Sequence, residues 1–303
     1  MSEPESKSQP SNSYTLLFMV VLSLVCALIL SLLASALAKP KEIAKELDRS
    51  KQMMIAAKIL SPEGYFLLRG KEGELLPARM ENDGVLVQDD AKPIADRSEL
   101  LQAYSQRIVP YLVNDKGEIK SFKELGINEM QYESGNKKSG YYKQPWKLIY
   151  AILPNGKNEE KAKPEGYVIP INGYGLWDAI YGYLAIKPDA DTVIGVTWYD
   201  QKETPGLGAN IAEPYWQKLF DGKKIFMESP DGKTDFKTAP LGITVVKGKV
   251  AEVLGSGPKS KSAVDGMTGA TLTGNGVTDA YRVVLAAYRP FLIRLHEETG
   301  KEK

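Results

Sequence analysis

The chain has 303 residues, 43% of them hydrophobic and 25% charged, with a formal net charge of +1, so no global basic field favours nucleic acid. A single cysteine, Cys26, and a single histidine, His296, exclude a disulfide framework, a multi-histidine or zinc centre and a cysteine-ligated iron–sulfur cluster within the chain. Redox chemistry here needs an organic cofactor.

Residues 1–13 form a polar tail, and residues 14–38 form an uncharged, mostly apolar stretch. At about 1.5 Å rise per residue, a helix of that length exceeds the roughly 30 Å hydrocarbon core, so one transmembrane helix in membrane lipid is expected. The rival reading is a cleaved signal peptide, since Ala36-Leu37-Ala38 has the small-x-small form of a cleavage site. An apolar region well beyond the usual ~7 to 15 residues, after a leader without a basic cluster, argues for retention. Orientation is contested. Lys39, Lys41, Lys45, Arg49 and Lys51 follow the stretch whereas Lys7 is the one basic residue before it, a count that places the large domain in the cytoplasm. Large domains translocate largely regardless of local charge, so the rule has limited authority here.

Residues 39–60 read as a helical linker, with Ile43, Leu47, Met54, Ile55 and Ile59 near helical spacing and Ser61-Pro62 as its stop. Residues 61–145 read as an elaborating polar segment without a functional signal. Gly135 and Gly140 have phosphate-loop spacing, but Tyr141-Tyr142 stand where Lys and Ser/Thr are required. From residue 146 to 303 the pattern becomes short β-like runs over 148–153, 167–171, 192–199 and 243–254. A charged solvated loop is expected over 156–165 and a short helix over 178–184. Val277, Tyr281, Val284, Leu285 and Tyr288 predict an amphipathic helix that stops before Pro290. The fold class is therefore α+β: a mainly antiparallel sheet with segregated helices, preceded by one transmembrane helix.

The informative segment is Asp265-Gly266-Met267-Thr268-Gly269-Ala270-Thr271-Leu272-Thr273, directly before that helix. Small residues permit a tight turn with exposed amides, and a helix start adds unsatisfied N–H donors and the positive dipole end, which suits a phosphate. The ordinary alternative is a helix capped by Thr271 or Thr273 after a glycine turn. No dinucleotide fingerprint is present, because Gly274-Asn275-Gly276 leads to Asp279 where a small residue is required.

The run from Asp265 to Thr271 resembles the flavinylation motif of covalent-FMN domains. Asn172-Gly173-Tyr174-Gly175-Leu176-Trp177-Asp178 and Glu203-Thr204-Pro205-Gly206-Leu207-Gly208 resemble two further segments of the same family. Three such motifs in this order, after one N-terminal membrane helix, are similar to the single-pass, covalent-FMN subunits of the Na⁺-translocating NADH:quinone reductases. The resemblance implies FMN esterified through its phosphate to Thr271 by a separate Mg-dependent flavin transferase that uses FAD as donor. It also implies an inner-membrane electron-transfer subunit with a periplasmic domain, working beside the other subunits of a complex that oxidises NADH, reduces quinone and exports Na⁺. The corresponding covalent-FMN subunits of Rnf-type electron-transport complexes are the neighbouring family. Their first segment usually lacks Leu-Trp-Asp, and a His commonly stands where this chain has Gln201.

The residues agree with a flavin site. Leu176 and Trp177 can supply an apolar wall, although Trp177 alone is equally a core aromatic. Gly206, Leu207 and Gly208 allow close backbone approach and Thr204 a hydrogen bond to the cofactor, whereas Glu203 either contacts flavin or holds its loop. Asp265 is expected to order the loop or be recognised by the transferase, Thr268, Gly269 and Ala270 to shape the turn or hold the phosphate, and Thr273 to cap the helix. A membrane-tethered scaffold without redox chemistry is the alternative class. A free-standing flavin enzyme is disfavoured, since no nucleophile–base pair is present and the chain alone holds no complete active site.

Overall fold

The computed structural model describes residues 12–70, 73–156 and 162–300; the polar tail up to residue 11 and the centre of the charged loop, 157–161, lie outside them. Contacts divide the chain into two units, residues 1–48 and 49–303. In the first, Asn12–Ala38 is apolar and long enough to cross a membrane, with none of its most apolar window buried inside the protein. It opens helix α1, Asn12–Ala56, which continues through Pro40. One helix thus covers the expected transmembrane segment and the linker as far as Ala56. It ends before Ser61 because Lys58 takes a φ of +57°, and the amides of Lys58 and Ile59 turn back to the carbonyls of Ile55 (3.1 Å) and Met54 (2.9 Å). This is the Schellman termination, with a lysine in the left-handed position.

In the second unit, β1 (Phe66–Arg69), β2 (Leu75–Met80) and β3 (Leu86–Gln88) form a small antiparallel sheet. Helix α2 (Arg97–Arg107) starts on an Asp96 and Glu99 capping box. Next come β4 (Ile108–Val113), β5 (Ile119–Lys120), α3 (Phe122–Leu125), α4 (Glu129–Asn136), β6 (Lys147–Ile152), β7 (Gly166–Tyr174), β8 (Ala179–Ile186) and β9 (Val193–Asp200). The main sheet has the order β5-β4-β6-β7-β8-β9, and every pair is antiparallel. The boundary expected at residue 146 therefore falls within one sheet, since β4 pairs along its whole length with β6. After β9 come α5 (Pro214–Gln217), β10 (Thr244–Val245), α6 (Val250–Val253), β11 (Ala263–Val264) and α7 (Thr271–Gly300), with β10 and β11 paired in parallel.

Three local expectations are corrected. Residues 179–186 are strand β8, not a helix: Gly175 N–H closes a hairpin on Asp178 O (2.9 Å), and Gly182 lies so close to the Trp198 ring that a Cβ there would press into it. The run over 243–254 is strand only at β10, because Gly248 takes a φ of +95° and turns the chain into α6. Helix α7 begins at Thr271 and passes Pro290 to reach Gly300. An interior proline costs about 3 kcal/mol. Beyond it Phe291, Leu292 and Leu295 are buried, each worth about 1.5–3 kcal/mol, which outweighs the break.

The sheet is covered on both faces. Trp198 meets Tyr281 of α7 edge-on with ring centroids 5.7 Å apart, while its neighbour Thr197 points the other way and donates to the Gln52 carbonyl of α1 at 3.2 Å. Burial on both faces explains why all six residues of β6 are buried and why polar–apolar alternation is weak in its sequence. The architecture is the α+β class expected, with helices outside a mainly antiparallel sheet.

Candidate functional site

Three segments far apart in sequence meet at the N-terminus of α7: the β7–β8 hairpin loop, the loop that follows β9, and the first turn of α7 itself. Glu203 joins them. Its Oε1 accepts from Trp177 N–H (3.0 Å), and its Oε2 accepts from Leu176 N–H (3.0 Å) and the Thr273 hydroxyl (2.5 Å). The residue is buried, at 5% exposure. Burial works against its charge, but the Thr273 hydroxyl and the amides of Trp177, Leu176 and Asp178 outweigh that effect and hold the carboxyl below its ordinary range. Gly175 and Gly208 are glycines for the same reason: a Cβ at either would strike the Glu203 side chain, and at Gly208 also the Thr273 hydroxyl.

The loop leading to Thr271 is held from outside. Asp265 Oδ1 accepts from Val250 N–H at the start of α6 (2.7 Å), and Asp265 O accepts from the Trp216 indole (3.2 Å). Gly266 N–H donates to Gly248 O (2.8 Å), and a Cβ on Gly266 would collide with Val246 O. Gly269 takes a φ of +77°, which turns the chain into the helix. Ala270 is buried, whereas Thr268, Gly269 and Thr271 are exposed.

Thr271, the first residue of α7, is shared by two clefts. One, of about 200 Å³, is lined by Leu176, Glu203, Thr204, Leu207, Gly208 and the turn from Gly269 to Thr273. The other, of about 360 Å³, is lined by Val245, Val246, Lys247, Gly248, Asn275 and the turn from Gly266 to Thr271. Beside the first cleft, the Trp177 indole donates to Thr204 Oγ1 at 3.0 Å. That leaves the Thr204 hydroxyl hydrogen free to donate elsewhere. The amides of Thr271, Leu272 and Thr273 belong to a first turn, where a helix offers no internal acceptor.

The residues singled out in the sequence are thus brought together with distinct placements. Leu176, Thr204, Leu207, Gly208, Gly269, Ala270 and Thr271 line the smaller cleft, and Thr268 lines the larger one. Trp177 is 68% exposed, so it is no core aromatic; it and Gly206 line neither of these two clefts. Glu203 holds its loop, and Asp265 orders the turn that leads to Thr271. Thr273 is not the helix cap expected: it lies inside α7, is buried, and bonds to Glu203. Sequence reading missed that pairing, and it missed Lys247, which lines the larger cleft. Only the lysine pair of Lys247-Gly248-Lys249 could have drawn attention to that segment.

A family model described as an FMN-binding domain matches residues 175–286, from the hairpin loop into α7. The NqrC component of the Na⁺-translocating NADH-quinone reductase of Chlamydia caviae is 43% identical over 92% of this chain and 91% of its own length. That of Chlamydia pneumoniae is 40% identical over 96% and 94%. The chain belongs to the NqrC family. The crystal structure of the Parabacteroides distasonis member shares its fold, with a TM-score of 0.52 and 23% identity over 84% of this chain and 96% of that one. The match to the Chlamydia pneumoniae protein runs over 302 residues and so takes in the polar segment before residue 146, although no motif in it suggested so. The Rnf alternative is not favoured.

Proposed function

We propose that this chain carries FMN as a phosphoester on Thr271 and transfers electrons within a Na⁺-translocating NADH:quinone reductase, anchored in the inner membrane by residues 14–38 with its domain in the periplasm. The observation that carries the reading is the place of Thr271: an exposed threonine at the first position of a 30-residue helix, on a cleft also lined by Leu176, Leu207 and Leu272.

The residues suit the group. Leu176, Leu207 and Leu272 offer exposed apolar surface for a flat ring, and Thr204 offers a hydroxyl hydrogen. The Leu176 and Trp177 amides are taken by Glu203 and do not bind the ring. At about 200 Å³ the cleft is smaller than the roughly 300–1,000 Å³ that encloses a drug-sized ligand, so the ring keeps an edge open to a redox partner. The helix end and Lys247 favour the phosphodiester, but a dipole contribution of about 0.3–1 kcal/mol cannot retain a cofactor. Retention therefore falls to the ester bond. FMN supplies an electron store that can be emptied one electron at a time.

On this reading residues 39–60 link anchor to domain, residues 61–145 elaborate it, and residues 146–303 bind FMN. The partners are the other subunits of the complex, membrane lipid and, during maturation, a flavin transferase; nucleic acid is not among them. The chain alone neither binds NADH nor reduces quinone. Mass spectrometry tests the central point: the peptide containing Thr271, from cells with an active flavin transferase, should be heavier by FMN minus water. An unmodified peptide would sink the reading.

A further inference from the structure

We infer that Glu203 is a positioning residue whose fixed negative charge, set in the wall of the flavin cleft, makes the bound flavin harder to reduce. The inference rests on the flavin reading above and adds a role for a residue that does not itself exchange electrons.

The geometry supports a permanent charge. Among the described residues the hydrogen-bond partners of the Glu203 carboxylate are neutral: the backbone amides of Leu176, Trp177 and Asp178 and the Thr273 hydroxyl. The cation next in sequence, Lys202, is engaged with Asp178. The carboxylate is therefore stabilised by dipoles and by the first turn of α7, without a counter-charge to cancel its field. Its partners keep it below the ordinary carboxyl range, so it remains ionised at neutral pH. Glu203 also lines the cleft that holds Leu176, Thr204 and Leu207. At low effective dielectric, a unit charge on a cleft wall acts strongly on charge added beside it. Reduction adds negative charge to a flavin unless a proton accompanies each electron, and a neighbouring carboxylate opposes it.

The same contacts give Glu203 a second effect. It takes up the Leu176 and Trp177 amides and ties the hairpin to the first turn of α7, which fixes Leu176 and Thr273 on the cleft wall.

The test is the flavin midpoint potential of the full-length chain, co-expressed with a flavin transferase and followed by spectroelectrochemistry. Glu203→Gln should move the potential to more positive values. Thr273→Val keeps the charge and removes one hydrogen bond, so it should move the potential much less; an equal shift would assign the effect to geometry and overturn the inference. In the wild type, protonating Glu203 at acid pH should add a rise in potential beyond the flavin's own proton coupling. If Glu203→Gln does not fold, that acid rise decides: its presence supports the charge, and its absence overturns it. A wild-type protein without flavin would sink the flavin reading and this inference together, whereas bound flavin with a potential indifferent to Glu203→Gln would sink this inference alone.

Discussion

The Thr273 hydroxyl donates to Glu203 Oε2 at 2.5 Å across 70 positions of sequence, and both partners are buried. This bond ties the loop after β9 to the first turn of α7, and through the same carboxylate both are tied to the β7–β8 hairpin. Removing the hydroxyl leaves a buried anion short of a donor. Thr273→Val should therefore cost about 1–3 kcal/mol of stability, read as a lower denaturant midpoint at unchanged slope.

The same carboxyl predicts a pH dependence. The folded state holds Glu203 below its ordinary value, so its contribution is fully present above the unfolded-state value and is lost as pH falls through the folded-state value. The stability difference between wild type and Glu203→Gln should be level near neutrality and shrink below the ordinary glutamate range. A difference that grew on acidification would contradict this assignment.

Thr271 is exposed, so Thr271→Ala should leave stability within about 0.5 kcal/mol while abolishing flavin fluorescence of the denatured protein in a gel. Thr271→Ser keeps an acceptor hydroxyl and should keep the fluorescent band. A band that survives Thr271→Ala would place the flavin elsewhere, and no band in wild type would favour the scaffold reading.

Asp265 holds the turn before Thr271 through one oxygen that accepts from Val250 N–H. Asp265→Asn retains an acceptor there and should unfold near the wild-type midpoint, whereas Asp265→Ala should cost about 1 kcal/mol. Gel fluorescence then separates loop order from recognition: an Asn variant that folds normally but takes up no flavin would show that the transferase reads the charge.

Gly266 has no room for a side chain, because a Cβ would meet the Val246 carbonyl, which is backbone and cannot swing aside. Gly266→Ala should destabilise the domain by about 1–3 kcal/mol and reduce flavin incorporation, whereas alanine at the open position Gly135 should leave both nearly unchanged.

A reporter that fluoresces only in the cytoplasm, fused to the C-terminus, should stay dark if the domain is periplasmic. Bright fusions would support the local positive-charge count instead.

The sequence by itself determined what depends on neighbours along the chain: an apolar stretch long enough to span a bilayer, the α+β class, and a threonine after a small-residue turn at the mouth of an amphipathic helix. Those features follow from composition and short spacing. Only the tertiary structure decided what depends on packing between distant segments. Residues 108–120 join the main sheet because β6 has an open edge for β4 to pair with. Helix α7 crosses Pro290 because burial of Phe291, Leu292 and Leu295 exceeds the local cost. Glu203 becomes a clamp, not a surface acid, because the β7–β8 hairpin and the first turn of α7 bring neutral donors to one buried carboxylate on a third segment, and no window of sequence contains all of them.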